Sequence, residues 1–484
     1  MLGGTAVPTD LLVTGVTLDS RRVRPGDLYA ALPGATTHGA KFAAAATATG
    51  AAAVLTDPQG AQWCDAAELA VPVIVVPDPR GILGELSAWI YGDPAADLLL
   101  VGITGTNGKT TVSHLVAAAL REVGHRTGTI GTIGIHVLDE ALPSARTTPE
   151  APDVHAVLAV MRERGVTAVA MEVSSHALVL GRVDGLTFDL AVFTNLSQDH
   201  LDFHATMAEY FDAKRRLFQP DRCRAAVICT DDAHGRDLAD EVTVPVTTYG
   251  VTGRSADWVL ADVSVESTGR WAATAVGPQQ RVAVSSPLPG PFNQANVLGA
   301  LATAVAVGAP AAAAAAGLAT CTGVPGRMEP IPGAGFAAFV DYAHTPDAVA
   351  RAISAVREFT GGRVLVALGC GGDRDPGKRP LMGQIAAQTA DVVVVTDDNP
   401  RSEDPAMIRR TVLAGAAQSE SGAVVTEIPD RRQAIRSLVS QARPGDAVLI
   451  LGKGHEQGQD VAGVVTPFDD RVELQAAIDQ TAAR

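Results

Sequence analysis

One stretch constrains this chain more than any other. A continuous apolar segment, residues 98–103, runs into Gly105-Thr106-Asn107-Gly108-Lys109-Thr110-Thr111, and from there Val112, Leu115, Val116, Ala119, Leu120 and Val123 fall on one helical face. Strand, glycine turn and helix in that order predict a phosphate loop. Gly105 and Gly108 let backbone N–H groups close around phosphate oxygens, the helix N-terminus adds positive potential, Lys109 supplies a point charge, and Thr110 offers a hydroxyl to Mg²⁺. The longer Gly-x-x-x-x-Gly-Lys-Thr pattern is incomplete, because Ile103 occupies its first glycine position.

Around this loop the apolar runs 98–103, 168–173, 189–194 and 225–230 alternate with helical patterns, which predicts a parallel sheet covered on both faces. A second series, 337–340, 364–368, 392–395 and 447–451, follows a Gly- and Pro-rich break at 323–332 and predicts a Rossmann-like, doubly wound unit. Its strands run into four polar clusters at 341–344, 369–374, 397–401 and 452–456, so ligands are expected at their carboxyl ends. Before the Asp93-Pro94 boundary the chain mixes short apolar runs with turns. The expectation is an α/β protein of three domains: a small mixed domain over 1–95, a central phosphate-loop ATPase-like domain with a parallel sheet over 96–328, and the Rossmann-like domain over 329–484. The alanine-rich stretch 295–320, interrupted by Gly308 and Pro310, reads as two helices of a folded domain and not as a membrane span.

Charge narrows the function. With 38 Lys and Arg against 53 Asp and Glu, a net −15 excludes general affinity for nucleic acid or anionic lipid, so any phosphate must be gripped locally. Five scattered cysteines with no Cys-x-x-Cys pair fit a reducing compartment. The first ten residues show no secretory pattern; a cytoplasmic monomer is expected.

The shortened loop Thr104-Gly105-Thr106-Asn107-Gly108-Lys109-Thr110-Thr111 resembles that of the Mur ligases and their folylpolyglutamate synthetase relatives. Further stretches follow in that family's order: Asp19-Ser20-Arg21 with Pro25-Gly26-Asp27-Leu28, Thr147-Thr148-Pro149, Met171-Glu172-Val173-Ser174-Ser175-His176, Asn195-Leu196-Ser197-Gln198-Asp199-His200-Leu201-Asp202, and Gly326-Arg327-Met328-Glu329. Asp398-Asn399-Pro400-Arg401 resembles the motif of members that add meso-diaminopimelate instead of lysine. A guanidinium suits that task, since diaminopimelate carries one carboxylate more than lysine, and a planar fork grips it in two places.

The resemblance implies an ATP-dependent amide ligase that joins meso-diaminopimelate to UDP-MurNAc-L-Ala-D-Glu through an acyl phosphate, with Mg²⁺. It implies that residues 105–111, Asn296, Arg327, Asp341 and His344 approach ATP, and that Ser20, Thr147, Thr148, Ser174 and Arg182 contact the nucleotide-peptide. Arg374, Asp398, Asn399, Pro400, Arg401, Gly452 and Glu456 would surround diaminopimelate, with Glu456 on an ammonium and Lys453 and His455 as helpers or plain loop charges. Thr110, Glu172, His200 and a carbamylated Lys214 would hold metal, with Lys109, Glu172, His200 and Lys214 as the catalytic set. From the residues alone, Lys214 beside Arg215 and Arg216 reads as a solvated charge, and His204 as a loop histidine instead of one half of a His-x-x-x-His zinc pair.

Other readings stay open: a ligase for lysine or glutamate, a mechanical or transport NTPase, or a nucleotide-binding regulator. A motor hydrolyses ATP without any amino acid and a regulator binds without turnover, whereas a ligase releases ADP only when acceptor and donor are both present.

Overall fold

The computed structural model describes residues 10–482 except 35, 143, 145, 202, 253, 254, 322 and 334. The reading of the N-terminus, apart from Asp10, and Asp202 of the histidine motif therefore lie outside the described residues. The chain begins with a four-stranded parallel sheet of β1 (Gly15–Thr17), β2 (Asp27–Ala30), β3 (Ala53–Thr56) and β4 (Val73–Val75). The helix that follows, Pro79–Ile90, starts where physics favours a start. Proline stands in its first turn, and the Asp78 side chain accepts hydrogen bonds from the N–H groups of Arg80 and Gly81.

The central sheet has eleven strands: β5 (Leu99–Thr104), β6 (Thr127–Gly131), β7 (Gly134–Val137), β8 (Glu140–Leu142), β9 (Ala168–Glu172), β10 (Leu190–Phe193), β11 (Ala226–Cys229), β12 (Val246–Gly250), β13 (Trp258–Val265), β14 (Trp271–Gly277) and β15 (Gln280–Ser286). Their order is β15-β14-β13-β12-β11-β10-β5-β9-β6-β7-β8. The expected parallel arrangement holds from β13 to β6, with β5 between β10 and β9. It fails at both ends, where antiparallel pairs β13–β14–β15 and β6–β7–β8 extend the sheet. The reason is visible in β14, where buried Trp271, Ala273 and Ala275 alternate with more exposed residues. A strand covered on one face alternates, and does not produce the continuous apolar run that marks a buried parallel strand. The alanine-rich segment forms two helices, Pro291–Ala306 and Ala311–Thr320, as expected, and both pack into the core beside the helix Lys109–Glu122.

The third sheet has the order β16 (Glu329–Pro330), β17 (Ala337–Asp341), β21 (Ala447–Leu451), β18 (Val364–Leu368), β19 (Val392–Val395) and β20 (Val424–Glu427); only β16 is antiparallel. Every residue of β18, β19 and β21 is buried, because helices cover both faces. A hairpin of β22 (Gly458–Val461) and β23 (Val464–Pro467) leans on the loop after β19. Beneath those loops Arg431 and Asp470, both fully buried, form a two-pronged ion pair, and Arg431 also donates to the carbonyl oxygens of Leu451 and Asp397. The ends of β19 and β21 are thereby tied together. Among the described residues no helix is long and apolar enough to cross a membrane.

Candidate active site

The phosphate loop sits where β5 hands over to the helix Lys109–Glu122. Its two glycines have φ of 145° and 88°, and each faces a close neighbour: a Cβ on Gly105 would stand 1.9 Å from Thr194 Oγ1, and one on Gly108 would stand 2.5 Å from Asn296 Oδ1. Lys109 Nζ curls back to donate to the carbonyl oxygens of Gly105 and Thr106, both at 2.9 Å. Burial holds its ammonium below the ordinary range, against the pull of Glu172 and Asp199.

The loop opens onto a cavity of about 650 Å³ lined by residues 106–111, Thr147, Thr148, Glu172, Ser174, Arg182, His200, Asn296, Arg327, Asp341, His344 and Arg374. Residues scattered over more than two hundred positions of sequence thus share one space. Gly105 and Lys214 are not among its lining residues, and Ser20 lies in the first domain beside the Tyr29 hydroxyl.

At the floor, Glu172 ends β9 and is buried. Its carboxylate accepts from Thr110 Oγ1 at 3.1 Å, from the Thr132 N–H at 2.7 Å and from Thr132 Oγ1 at 3.1 Å. Arg327 reaches the same Thr110 hydroxyl at 3.3 Å. A hydroxyl and a carboxylate side by side at a phosphate loop are the hard oxygen donors that suit Mg²⁺. Ser174 also has a structural task, capping the helix Ser175–Val179 by accepting from the Ala177 N–H.

Two expectations need correction here. Lys214 is not a solvated charge: it is 1% exposed, its Nζ donates to the Gly105 carbonyl at 2.8 Å and lies 4.5 Å from the Tyr210 ring centre. Burial, reinforced by the positive charge of Lys109, drives its ammonium well below the ordinary lysine range. Its neighbours Arg215 and Arg216 point elsewhere because a helix turns about 100° per residue. His204 is likewise buried and bonded to Ser175 Oγ at 2.9 Å, so it is part of the packing and not a loop histidine.

Some lining residues carried no expected role. Asp199 stands inside the quoted histidine motif; burial pushes its carboxyl up, but His200, His344 and Lys109 bring it below its ordinary value. Arg146 precedes Thr147 and, with Arg80 and Arg182, surrounds Glu150 at 3.5, 3.4 and 2.9 Å. Thr132 follows the β6 edge with no motif around it, and only the fold brings it to Glu172.

Of the residues expected at diaminopimelate, Arg374 lines that cavity, and Asp398, Asn399, Pro400, Arg401, Gly452 and Glu456 form a second cluster outside its lining. Asn399 Nδ2 donates to Glu456 Oε2 at 2.6 Å; Arg401, held at φ 50°, donates from its side chain to the Gly372 carbonyl at 2.7 Å. The hairpin pins that Arg401 backbone, with its N–H on Asp460 O at 3.0 Å and its carbonyl accepting from the Ala462 N–H at 2.7 Å. Pro400 presents its carbonyl to Gly372, where a Cβ would come within 1.9 Å, and a Cβ on Gly452 would meet Asp398 Oδ2 at 2.5 Å. Between the two clusters lie Arg327, stacked 4.6 Å above the Tyr342 ring, and His455, whose ring centre is 5.3 Å from that of Tyr342. Lys453 is not a loop charge: it is fully buried.

Three family models cover most of the chain: the Mur ligase family catalytic domain at residues 12–91, the Mur ligase middle domain at 103–304, and the Mur ligase glutamate ligase domain at 326–454. The chain belongs to the Mur ligase family. This Mur ligase is 54% identical, over 99% of its length and 95% of the relative's, to the UDP-N-acetylmuramoyl-L-alanyl-D-glutamate–2,6-diaminopimelate ligase of Streptomyces avermitilis. It is 49% identical to the ligase of that name from Corynebacterium glutamicum, over 97% of this chain and 92% of that one. A solved structure of a UDP-N-acetylmuramoyl-L-alanyl-D-glutamate–2,6-diaminopimelate ligase superimposes with a TM-score of 0.71 at 36% identity, covering 98% of both chains. The MurF ligase of Thermotoga maritima, solved in complex with ADP, shares the fold at 19% identity and a TM-score of 0.66, over 98% of this chain and 100% of that one.

Proposed function

We infer that this Mur ligase uses ATP to join meso-diaminopimelate to UDP-MurNAc-L-Ala-D-Glu, activating the D-glutamate carboxylate as an acyl phosphate that the incoming amine attacks, in cytoplasmic synthesis of peptidoglycan precursors. Residues 1–95 serve the uridine nucleotide, 96–328 ATP, and 329–484 the amino acid. One observation carries the reading: the phosphate-loop cavity adjoins, across Arg327 and Tyr342, a cluster in which a cation, Arg401, and a carboxylate, Glu456, flank Asn399. Opposite charges so arranged match the distal carboxylate and ammonium of diaminopimelate. The 54% and 49% identical relatives named for that amino acid support it.

In this scheme Lys109 and the loop N–H groups hold the distal phosphates, and Asn296, Asp341 and His344 approach the nucleoside end. Thr110 and Glu172 would hold Mg²⁺, which supplies charge neutralisation for phosphoryl transfer between two anions. Lys214 is suited to carbamylation, because a buried lysine pushed toward the neutral amine can add CO₂ and lose a proton; the resulting carboxylate, with His200, would serve a second metal ion. The nucleotide-peptide lies along Thr147, Thr148, Ser174 and Arg182, with Ser20 at its uridine end.

Phosphate release with UDP-MurNAc-L-Ala-D-Glu and ATP tests the reading. Release is expected only when an amino acid is added, and with meso-diaminopimelate far above L-lysine. Turnover without amino acid, or a preference for lysine, would overturn it.

A further inference from the structure

Lys453 is fully buried beside the second cluster, with no exposed side-chain surface. Its Nζ donates to Asn399 Oδ1 at 3.0 Å and to the Gly458 carbonyl at 2.6 Å, and stands 3.5 Å from Glu456 Oε2 and 3.8 Å from Asp398 Oδ1. Two loops, after β19 and after β21, and the hairpin therefore meet on one ammonium. The Asn399 side-chain oxygen, held by Lys453 and by the Asp460 N–H at 3.0 Å, fixes which way the amide points; its nitrogen is then left to bind Glu456. The lysine thus joins the Asp460 N–H and the Glu456 carboxylate in selecting that orientation over the flipped one, and it is the one of the three that also carries positive charge.

We propose that Lys453 is a positioning residue for the amino-acid substrate: it orients Asn399 and holds Asp398 and Glu456 together as acceptors for the distal ammonium of diaminopimelate. This rests on the reading that Glu456 receives that ammonium. Two neighbouring carboxylates, the buried Asp398 and the half-buried Glu456, oppose each other's ionisation, and a cation beneath them offsets the repulsion. The charges at Glu456 follow that logic: burial and Asp398 push its carboxyl up, and Lys453 draws it down. Covered on every side, Lys453 acts through these groups and does not itself meet the substrate.

The test compares wild-type enzyme, K453M, K453Q and E456Q in steady-state kinetics with meso-diaminopimelate and with 2-aminopimelate, which lacks the distal ammonium. K453M should raise KM for meso-diaminopimelate roughly 10- to 100-fold, the usual cost of losing a group that orients a binding side chain. KM for ATP and for the nucleotide-peptide should stay unchanged, and the preference over 2-aminopimelate should disappear. K453Q, which keeps a donor but no charge, should fall between. If E456Q retains the preference, the reading of the amino-acid site fails. If E456Q loses it while K453M and K453Q keep it, the positioning role alone fails. Lysine variants that weaken all substrates equally, or do not fold, would show a role confined to the fold and would also overturn the proposal.

Discussion

At the phosphate end of this Mur ligase, seven consecutive residues, 105–111, supply backbone, charge and hydroxyl, and the lysine bonds carbonyl groups three and four residues before it. At the proposed amino-acid end the matching groups come from the ends of β18, β19 and β21, and they are locked by Lys453, the hairpin and the Arg431–Asp470 pair. Phosphate has the same shape in every nucleotide, so a local turn serves as its receptor. A zwitterionic amino acid requires opposite charges at fixed separation, and separate loops must be braced to provide it. On the proposed assignment, recognition of phosphate is local in this molecule and recognition of the amino acid is tertiary.

The largest effect should come from Lys109→Met, which removes the point charge from the distal phosphates. ADP formation at saturating substrate is expected to fall on the order of 10³-fold, as for loss of one preorganised transition-state donor. A loss below tenfold would break the view that the loop carries the phosphate chemistry.

Arg401→Ala probes the other end. Loss of a charged hydrogen bond to a carboxylate costs about 2 to 3 kcal/mol, so KM for meso-diaminopimelate should rise roughly 30- to 150-fold with KM for ATP unchanged. An equal rise for ATP would mean that the two ends are not separable.

The smallest effect concerns stability beside the phosphate loop. Burial, with His136, Arg121 and Arg327 nearby, lowers His114 from 6.5 to about 4. As pH falls below the unfolded value the unfolded chain takes up the proton first, so the contribution is present above pH 6.5 and is lost toward pH 4. Between pH 7 and pH 5 that loss amounts to about 2 kcal/mol. His114→Leu should therefore show a smaller drop in Tm across this interval than wild-type protein; equal drops would show that His114 does not carry the term.

Sequence by itself determined the α/β class, four of the six strands of the third sheet to within a residue, the strand that carries the phosphate loop, and the loop's own geometry. These follow from apolar periodicity and glycine placement, which act over a few residues. It also marked most of the cavity lining, because those residues sit in short motifs at strand ends. Only the tertiary structure decided that Lys214 and Lys453 are buried, that His204 belongs to the packing, that the central sheet gains antiparallel ends, and that Thr132 reaches Glu172. Lys214 bonds a carbonyl 109 residues away, and Lys453 an amide 54 residues away. A charged side chain reads as solvated until the chain supplies a partner from afar. Whether it does depends on how helices and loops pack over the sheet, and no local pattern encodes that.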